Sequence, residues 1–396
     1  IPYSLSPDFI PYFNMIPTMK KTLILFIGTS IVFHACKNNT TETQQNTPYT
    51  IDMAQLFEDA KQTPEFKWNS LAERVDLIPL PQTDRILTWL TVQGLNDEGK
   101  ALLVSIADGT IAVVDIKTGE LVSSFNRVGR AGNEYLMPFS QILNARIYEN
   151  EIYVHDEALK RLQVYDLSGK YLRSVNIKTD DRISTFDIID KHTFMLTQVP
   201  LPSSDENIIP SNFILMVDDN GDTIRSYFPL KFEHAPIMMQ SCDCPFIYDE
   251  GVLVPGGHIG NDTMYMITAK EIHPFLITDF GKRGEIRKRE FEGVDDVTFD
   301  DVYWPFYFGY YKDMLFSRLI YLEKRYTSIW EKDQLLAFKE GGFACDLPGG
   351  GSVELYEGTI LGNKLIAPVE AHKLVGIVDG VTENDNPFLV IVTLKE

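Results

Sequence analysis

Basic residues are scarce in this sequence. Its 396 residues include 36 Lys and Arg against 56 Asp and Glu, which gives a formal net charge of −20 at pH 7. A nucleic acid is bound by a basic surface that neutralises its phosphates, and anionic lipid likewise attracts basic segments. The charge therefore argues against a nucleic-acid partner and against electrostatic docking on a membrane.

Cysteine is also rare, with four residues. Besides Cys36, discussed below, there are Cys242, Cys244 and Cys345, and an odd number in an oxidising compartment leaves one thiol free or paired between chains. Cys242 and Cys244 can form a local disulfide, or one of them can pair with Cys345, so the pairing stays open. The spacing lacks the two-residue interval typical of zinc ligands, and we predict no metal and no cofactor.

The apolar run near the start of the sequence is too short to span a membrane. Residues 22–33 form a run of 12, whereas a spanning helix needs about 20. The run follows the basic residues Lys20 and Lys21 and precedes Ala35 and Cys36, an arrangement typical of a signal peptide. A small residue before Cys36 resembles a bacterial lipoprotein signal, in which the Cys is acylated. An ordinary secretory signal with an incidental Cys is the alternative.

These features divide the N-terminal part of the chain. We expect an upstream extension at 1–18, a lipoprotein signal peptide at 19–35, a flexible tether at 36–50 and a short segment with a helix at 51–72 before the main domain at 73–396. The tether is polar, and the only acidic residue near Cys36 is Glu42, which favours a periplasm-facing protein anchored in the cell envelope. The lipid is then the sole membrane attachment.

A short pattern repeats at a nearly fixed interval along the main domain. Each copy is an apolar strand, an Asp, a tight turn with Gly, and a returning strand; the Asp residues are Asp115, Asp166 and Asp218, and Thr268 takes this place in a weaker fourth copy. Steps of 51, 52 and 50 residues separate these positions. This period is typical of a propeller blade.

The length of the main domain corresponds to six such periods. We predict an all-β fold, a six-bladed β-propeller of four-stranded antiparallel blades at about 86–135, 136–180, 181–235, 236–292, 293–341 and 342–396. An open ring would expose two sheet edges. We therefore expect the strand at 73–80 to join the C-terminal strand at 387–394 in the last blade.

The chain resembles the six-bladed β-propeller lipoproteins of bacterial envelopes, which are similar to NHL-repeat propellers. The resemblance rests on residues 75–80, 129–135, 147–156, 162–169, 274–281 and 383–390. It implies an extracytoplasmic binding or scaffold propeller with no established catalytic set. We therefore favour a ligand- or protein-binding module whose partner is a protein, a carbohydrate or a peptide.

The glycine-bearing loop at 129–135 contains the first pair of candidate binding residues. Arg130 offers a guanidinium fork suited to an anionic group, and Glu134 lies four residues further on. The alternative is an ion pair between the two that fixes the loop.

A run of aromatic residues at 303–311 supplies the second candidate. Trp304, Tyr307 and Tyr310 belong to it, and a strand this rich in aromatics is expected to expose some of them in a groove that binds carbohydrate or peptide. The alternative is packing between blades 5 and 6.

An enzyme is the rival hypothesis. An extracytoplasmic lyase or hydrolase with a metal or a His/Glu site at the axial mouth would suit a propeller of this kind. His155 and Asp156 are the adjacent pair most like a catalytic site, but they lie within the repeat, so we interpret them as structural. We assign no catalytic residue.

Overall fold

A computed structural model describes residues 48–82, 87–138, 143–199, 211–230, 246–248, 251–255, 262–282 and 303–396. None of the helices in these ranges is long and apolar enough to cross a membrane. The predicted extension and signal peptide lie outside them, as do Cys36, Cys242 and Cys244.

The described chain begins with a segment that runs along the propeller before the first blade. It contains β1 (Tyr49–Asp52), the four-residue helix α1 (Leu56–Asp59) and β2 (Ala72–Pro79). The helix lies within the segment at 51–72 for which one is predicted, and Leu56 is fully buried. Tyr49 and Thr50, the last two residues of the predicted tether at 36–50, belong to β1.

The first three blades follow in order along the chain. Blade 1 consists of β3 (Leu90–Leu95), β4 (Lys100–Ser105), β5 (Ile111–Asp115) and β6 (Leu121–Phe125). Blade 2 consists of β7 (Ala145–Tyr148), β8 (Glu151–Asp156), β9 (Arg161–Asp166) and β10 (Tyr171–Asn176). Blade 3 consists of β11 (Arg182–Asp190), β12 (Thr193–Val199), β13 (Ser211–Asp218) and β14 (Thr223–Leu230).

The last three blades use both ends of the chain. Blade 4 consists of β15 (Phe246–Tyr248), β16 (Gly251–Pro255), β17 (Thr263–Ile267) and β18 (Ile272–Asp279), with β1 added in parallel to β18. Blade 5 consists of β19 (Trp304–Tyr311), β20 (Met314–Tyr321), β21 (Lys324–Glu331) and β22 (Gln334–Glu340). A hairpin of β23 (Phe343–Asp346) and β24 (Ser352–Leu355) precedes blade 6, which consists of β25 (Thr359–Leu361), β26 (Lys364–Val369), β27 (Phe388–Leu394) and β2.

The ring closes through blade 6. The innermost strand of each blade contacts the next blade: β3 contacts β7, β7 contacts β11, β11 contacts β16, β15 contacts β19 and β19 contacts β25. The strand β25 of blade 6 in turn contacts β3 of blade 1. β2 supplies the outermost strand of blade 6 and pairs antiparallel with β27, with Val75 opposite Val392 and Leu77 opposite Val390. The predicted six-bladed ring of four-stranded antiparallel sheets, closed by the N-terminal strand, is confirmed.

The Asp of the sequence repeat caps the turn between the third and fourth strands of a blade. One carboxylate oxygen accepts hydrogen bonds from backbone N–H groups of the turn, as Oδ1 of Asp218 does from Asn220 and Asp222, both at 2.9 Å. In blade 4 the hydroxyl of Thr268 does the same for Lys270 at 3.2 Å. A hydroxyl can cap this turn in place of a carboxylate, so the fourth copy of the repeat keeps the turn without the Asp.

The Gly of the repeat is required both by its backbone conformation and by close packing. Gly221 has a φ of +75°, and a Cβ at this position would lie 1.8 Å from the carbonyl oxygen of Asn176 at the end of the previous blade. Gly119 approaches Ile78 and Gly169 approaches Phe125 in the same way. In blades 1, 2 and 3 these turns therefore pack against the outer strand of the preceding blade.

Blade 5 lacks the repeat because its strands are joined by two-residue turns. Lys312, Leu322 and Lys332 in these turns have φ values of 53°, 49° and 54°. Such hairpins need turn residues in the left-handed backbone conformation and do not need an Asp cap. This is the physical reason why the pattern fades after Thr268.

Candidate functional site

A large open groove lies where blades 5, 6 and 1 meet on one face of the disc. Its volume is about 1590 Å³. The lining comes from β2, from the β3–β4 and β5–β6 turns of blade 1, from the β25–β26 turn of blade 6 and from the β19–β20 turn of blade 5. The groove is thus assembled from turns that the ring brings together from both ends of the chain.

The groove has apolar and polar parts. Its apolar lining includes Ile78, Leu95, Ile116, Leu361 and Ile391, and all five side chains belong to or pack against the core between blades 6 and 1. The core therefore holds this part of the groove rigidly. A rigid apolar floor with polar groups at its rim is the usual form of a binding site.

The lining of the groove is net basic, although the chain as a whole is acidic. Four basic and two acidic side chains line it, which gives the lining a net charge of +2. One basic and one acidic group, Arg74 and Asp76, pair with each other at 2.8 Å. Lys117, Lys312 and Lys364 form no ion pair with any described residue, and Lys364 donates to the amide oxygen of Asn363 at 3.0 Å.

The loop with Arg130 and Glu134 is held by blade 2. Oε2 of Glu134 accepts a hydrogen bond from the backbone of Ala131 at 2.7 Å, so the carboxylate closes its own loop. The side chains of Arg161 and Gln163 donate to the Glu134 carbonyl at 3.0 and 2.7 Å. Within the described part of the chain Arg130 is exposed and does not pair with Glu134, contrary to the alternative that we considered.

The aromatic residues that we expected in an exposed groove are mostly packed. Tyr307 and Tyr310 are 7% and 4% exposed and belong to the core between blades 4 and 5, not between blades 5 and 6. The Tyr307 hydroxyl donates to Thr278 at 3.1 Å, and that of Tyr310 lies 3.0 Å from the hydroxyl of Tyr49. Tyr310 also borders the groove. The side chain of Trp304 lies outside the described atoms.

His155 and Asp156 lie in the blade interior, in agreement with the structural interpretation. Asp156 is fully buried and forms an ion pair with Arg161, in which Oδ2 and Nη2 are 3.0 Å apart. His155 is 2% exposed, and burial lowers the pKa of its imidazole to about 4, with a smaller contribution from the positive charge of Arg182. In the described ranges no group of three or more His, Cys, Asp or Glu side chains is placed to hold a metal ion.

A largely buried polar array joins the inner strands of three blades. Nε of Arg146 lies 2.9 Å from Oδ2 of Asp187, and Nη1 donates to Oε1 of Gln93 at 3.0 Å. Arg146 in blade 2 thereby connects Gln93 in blade 1 with Asp187 in blade 3. The sequence offers no sign of this array, because each blade contributes one residue without a shared motif.

The ring, its closure and the groove define the class of this protein: a six-bladed β-propeller with a large open groove on one face. Residues 48–393 match the family model described as "Domain of unknown function (DUF4934)", and the chain belongs to that family. A comparison with curated proteins found no match.

Two solved structures illustrate the likeness. A protein of Bacteroides fragilis, provisionally described as exported, is 14% identical with a TM-score of 0.61, and the match covers 88% of this chain and 100% of that one. A member of the DUF4221 family from Bacteroides vulgatus is 12% identical with a TM-score of 0.47, over 82% of this chain and 97% of that one. At this level of identity the first of these likenesses shows a shared fold.

Proposed function

We propose that this chain is an extracytoplasmic binding module, held to a membrane by a lipid on Cys36, which binds a ligand or a partner protein in the groove at blades 5, 6 and 1. The groove carries the proposal, because it combines a rigid apolar floor with lysines at its rim that form no ion pair with any described residue. We assign no reaction to it.

The size of the groove favours an extended partner. Sites for single small molecules have volumes of about 300–1,000 Å³, whereas this groove has about 1590 Å³. It also crosses the turns of three blades. An oligosaccharide or a peptide segment of several residues fits these dimensions better than a metabolite does.

The location in the cell envelope rests on the N-terminal pattern. Lys20 and Lys21, the apolar run and Ala35–Cys36 have the order of a lipoprotein signal, and the resemblance to envelope propellers agrees with it. The structurally similar Bacteroides fragilis protein, described as exported, supports the same compartment. Two or more acyl chains would keep the propeller durably at a membrane surface.

The groove is tested by blocking it. Thr118 is exposed in the β5–β6 turn at the groove, and Ser168 is exposed in the equivalent turn of blade 2, before Gly169. The purified protein is first screened against an array of glycans and peptides to find ligands that it binds. We expect Thr118→Trp to abolish binding to these ligands. Ser168→Trp should bind them like the wild type. Unchanged binding by Thr118→Trp would place the site elsewhere.

The anchor is tested separately. Cys36→Ser should move the protein from the membrane fraction to the soluble envelope fraction and should abolish labelling by a radioactive fatty acid. If the variant stays in the membrane fraction, the anchor is not at Cys36.

A further inference from the structure

We infer that the groove binds an extended, acidic peptide segment as an additional strand on the free edge of β2. This inference rests on the proposed binding function and names the class of its ligand. Three features of the groove support it: an unpaired strand edge, a corresponding edge that is occupied in blade 4, and lysines without carboxylate partners.

The edge of β2 faces the groove. All six consecutive residues from 74 to 79 line it, although side chains of a strand alternate between two faces. A surface that includes every residue of a strand must include the backbone edge as well. In the described chain β2 has only β27 beside it, so its other edge pairs with no strand.

The register shows which backbone groups point outwards. The Leu80 N–H donates to the Pro387 carbonyl at 3.1 Å, so residues 80, 78 and 76 direct their backbone groups towards β27. The N–H and C=O groups of Val75 and Leu77 therefore point to the free side. Their spacing along the strand is the one that a peptide in β conformation matches.

Blade 4 shows the same kind of pairing within this chain. Its outer strand β18 binds β1 in parallel along its edge, with Tyr49 opposite Leu276 and Ile51 opposite Thr278. The outermost strand of a blade in this protein thus accepts a short extended segment. Blade 6 offers an outer edge of its own, and that edge opens into the groove.

The charge of the groove selects an acidic segment. Lys117, Lys312 and Lys364 lie along it without a carboxylate partner among the described residues, in a chain whose net charge is −20. The acidic members of the lining are Asp76, which Arg74 neutralises, and Asp97. Carboxylates of a peptide that alternates acidic and apolar residues would meet the lysines, while its apolar side chains would cover the floor.

The experiment measures binding of a fluorescein-labelled octapeptide of alternating Glu and Val by fluorescence anisotropy. We expect binding that weakens roughly tenfold in Lys117→Glu and in Lys312→Glu, because each change replaces an attraction with a repulsion. Both lysines are exposed, so the variants should fold. Lys170→Glu, in the equivalent turn of blade 2, is the matched control and should bind like the wild type. Equal binding by all three variants would overturn the inference.

Strand pairing is tested with two N-methylated forms of the same peptide. One carries methyl groups on the Glu amides and the other on the Val amides, so each removes the donors of a single edge. One form should lose binding and the other should keep it. Equal binding by both forms, or no binding by the parent peptide, would overturn the inference.

Different results would refute the binding groove and the added peptide strand. If an acidic oligosaccharide binds instead, with loss in Thr118→Trp, the groove is a binding site but its ligand is not a peptide strand. If Thr118→Trp changes no binding at all, the proposed function fails as well.

Discussion

Lowering the pH from 7.5 to 5 should destabilise this propeller through His155. The imidazole is 2% exposed, its Nε2 has no hydrogen-bond partner, and burial lowers its pKa from 6.5 to about 4. In the unfolded chain the same imidazole is protonated below about pH 6.5. Between pH 6.5 and 4 the unfolded state therefore binds more protons, and the free energy of unfolding decreases as the pH falls.

The size of this effect follows from the two pKa values. A shift from 6.5 to about 4 lowers the free energy of unfolding by about 2 kcal/mol at pH 5 and by about 3 kcal/mol at pH 4. At pH 7.5 the contribution is close to zero, because neither state is protonated. Carboxylates with lowered pKa values, such as Glu151, add their own losses only at lower pH.

Urea denaturation at pH 7.5 and pH 5, followed by tryptophan fluorescence, measures the change. In His155→Leu the loss between the two pH values should be smaller than in the wild type by about 2 kcal/mol. His192, an exposed residue beside Asp219, offers the control, and His192→Leu should retain the full loss. If His155→Leu and the wild type lose the same stability, His155 is not the neutral buried group described above.

Three further predictions concern packing. Gly221→Ala should lower the free energy of unfolding by more than about 2 kcal/mol, because its Cβ would meet the Asn176 carbonyl. Gly132→Ala is the control and should cost little, because a Cβ there meets nothing within 4 Å. Similar melting temperatures for the two variants would contradict the turn packing. Asp187→Leu should lower the free energy of unfolding by about 3–5 kcal/mol, because it leaves Arg146 buried without its partner. In urea denaturation the double variant with Arg146→Met should regain much of this stability. Additive losses would refute the coupling between the two residues. Cys345 is fully buried, and burial raises the pKa of its thiol to about 12; in a background lacking the other cysteines a maleimide should label it only in denaturant, and rapid labelling of the native protein would contradict its burial.

The repeat predicted the fold well because it reports local geometry. Asp218 and Gly221 act within a single turn and on the neighbouring blade, so their spacing repeats wherever that turn recurs. The closing strand could also be predicted, because an unpaired apolar strand at each end of the main domain leaves few other partners. Blade 5 has no copy of the repeat, and only the remaining length indicated it.

The aromatic run shows where sequence reasoning reaches its limit. Tyr307 and Tyr310 alternate with other aromatics in one strand, and both faces of that strand are covered by neighbouring blades. Tyr49, 261 positions away in the sequence, contributes the partner of Tyr310. No local pattern could indicate that contact.

The groove could not be predicted for the same reason. Its lining extends from Arg74 to Ile391 and comes from turns of blades 1, 5 and 6 together with β2. Lys117 and Lys364 are ordinary surface lysines in the sequence and meet only because the ring closes.

Hydrogen exchange with a bound ligand tests the central claim most directly. The protein is compared free and saturated with the tightest member of the array or with the alternating Glu and Val peptide. We expect slower exchange at 74–79, 95–99 and 361–364, three of the segments that line the groove, with the largest change at Val75 and Leu77 if a strand is added. Protection that leaves these segments unchanged and appears elsewhere on the propeller would contradict it.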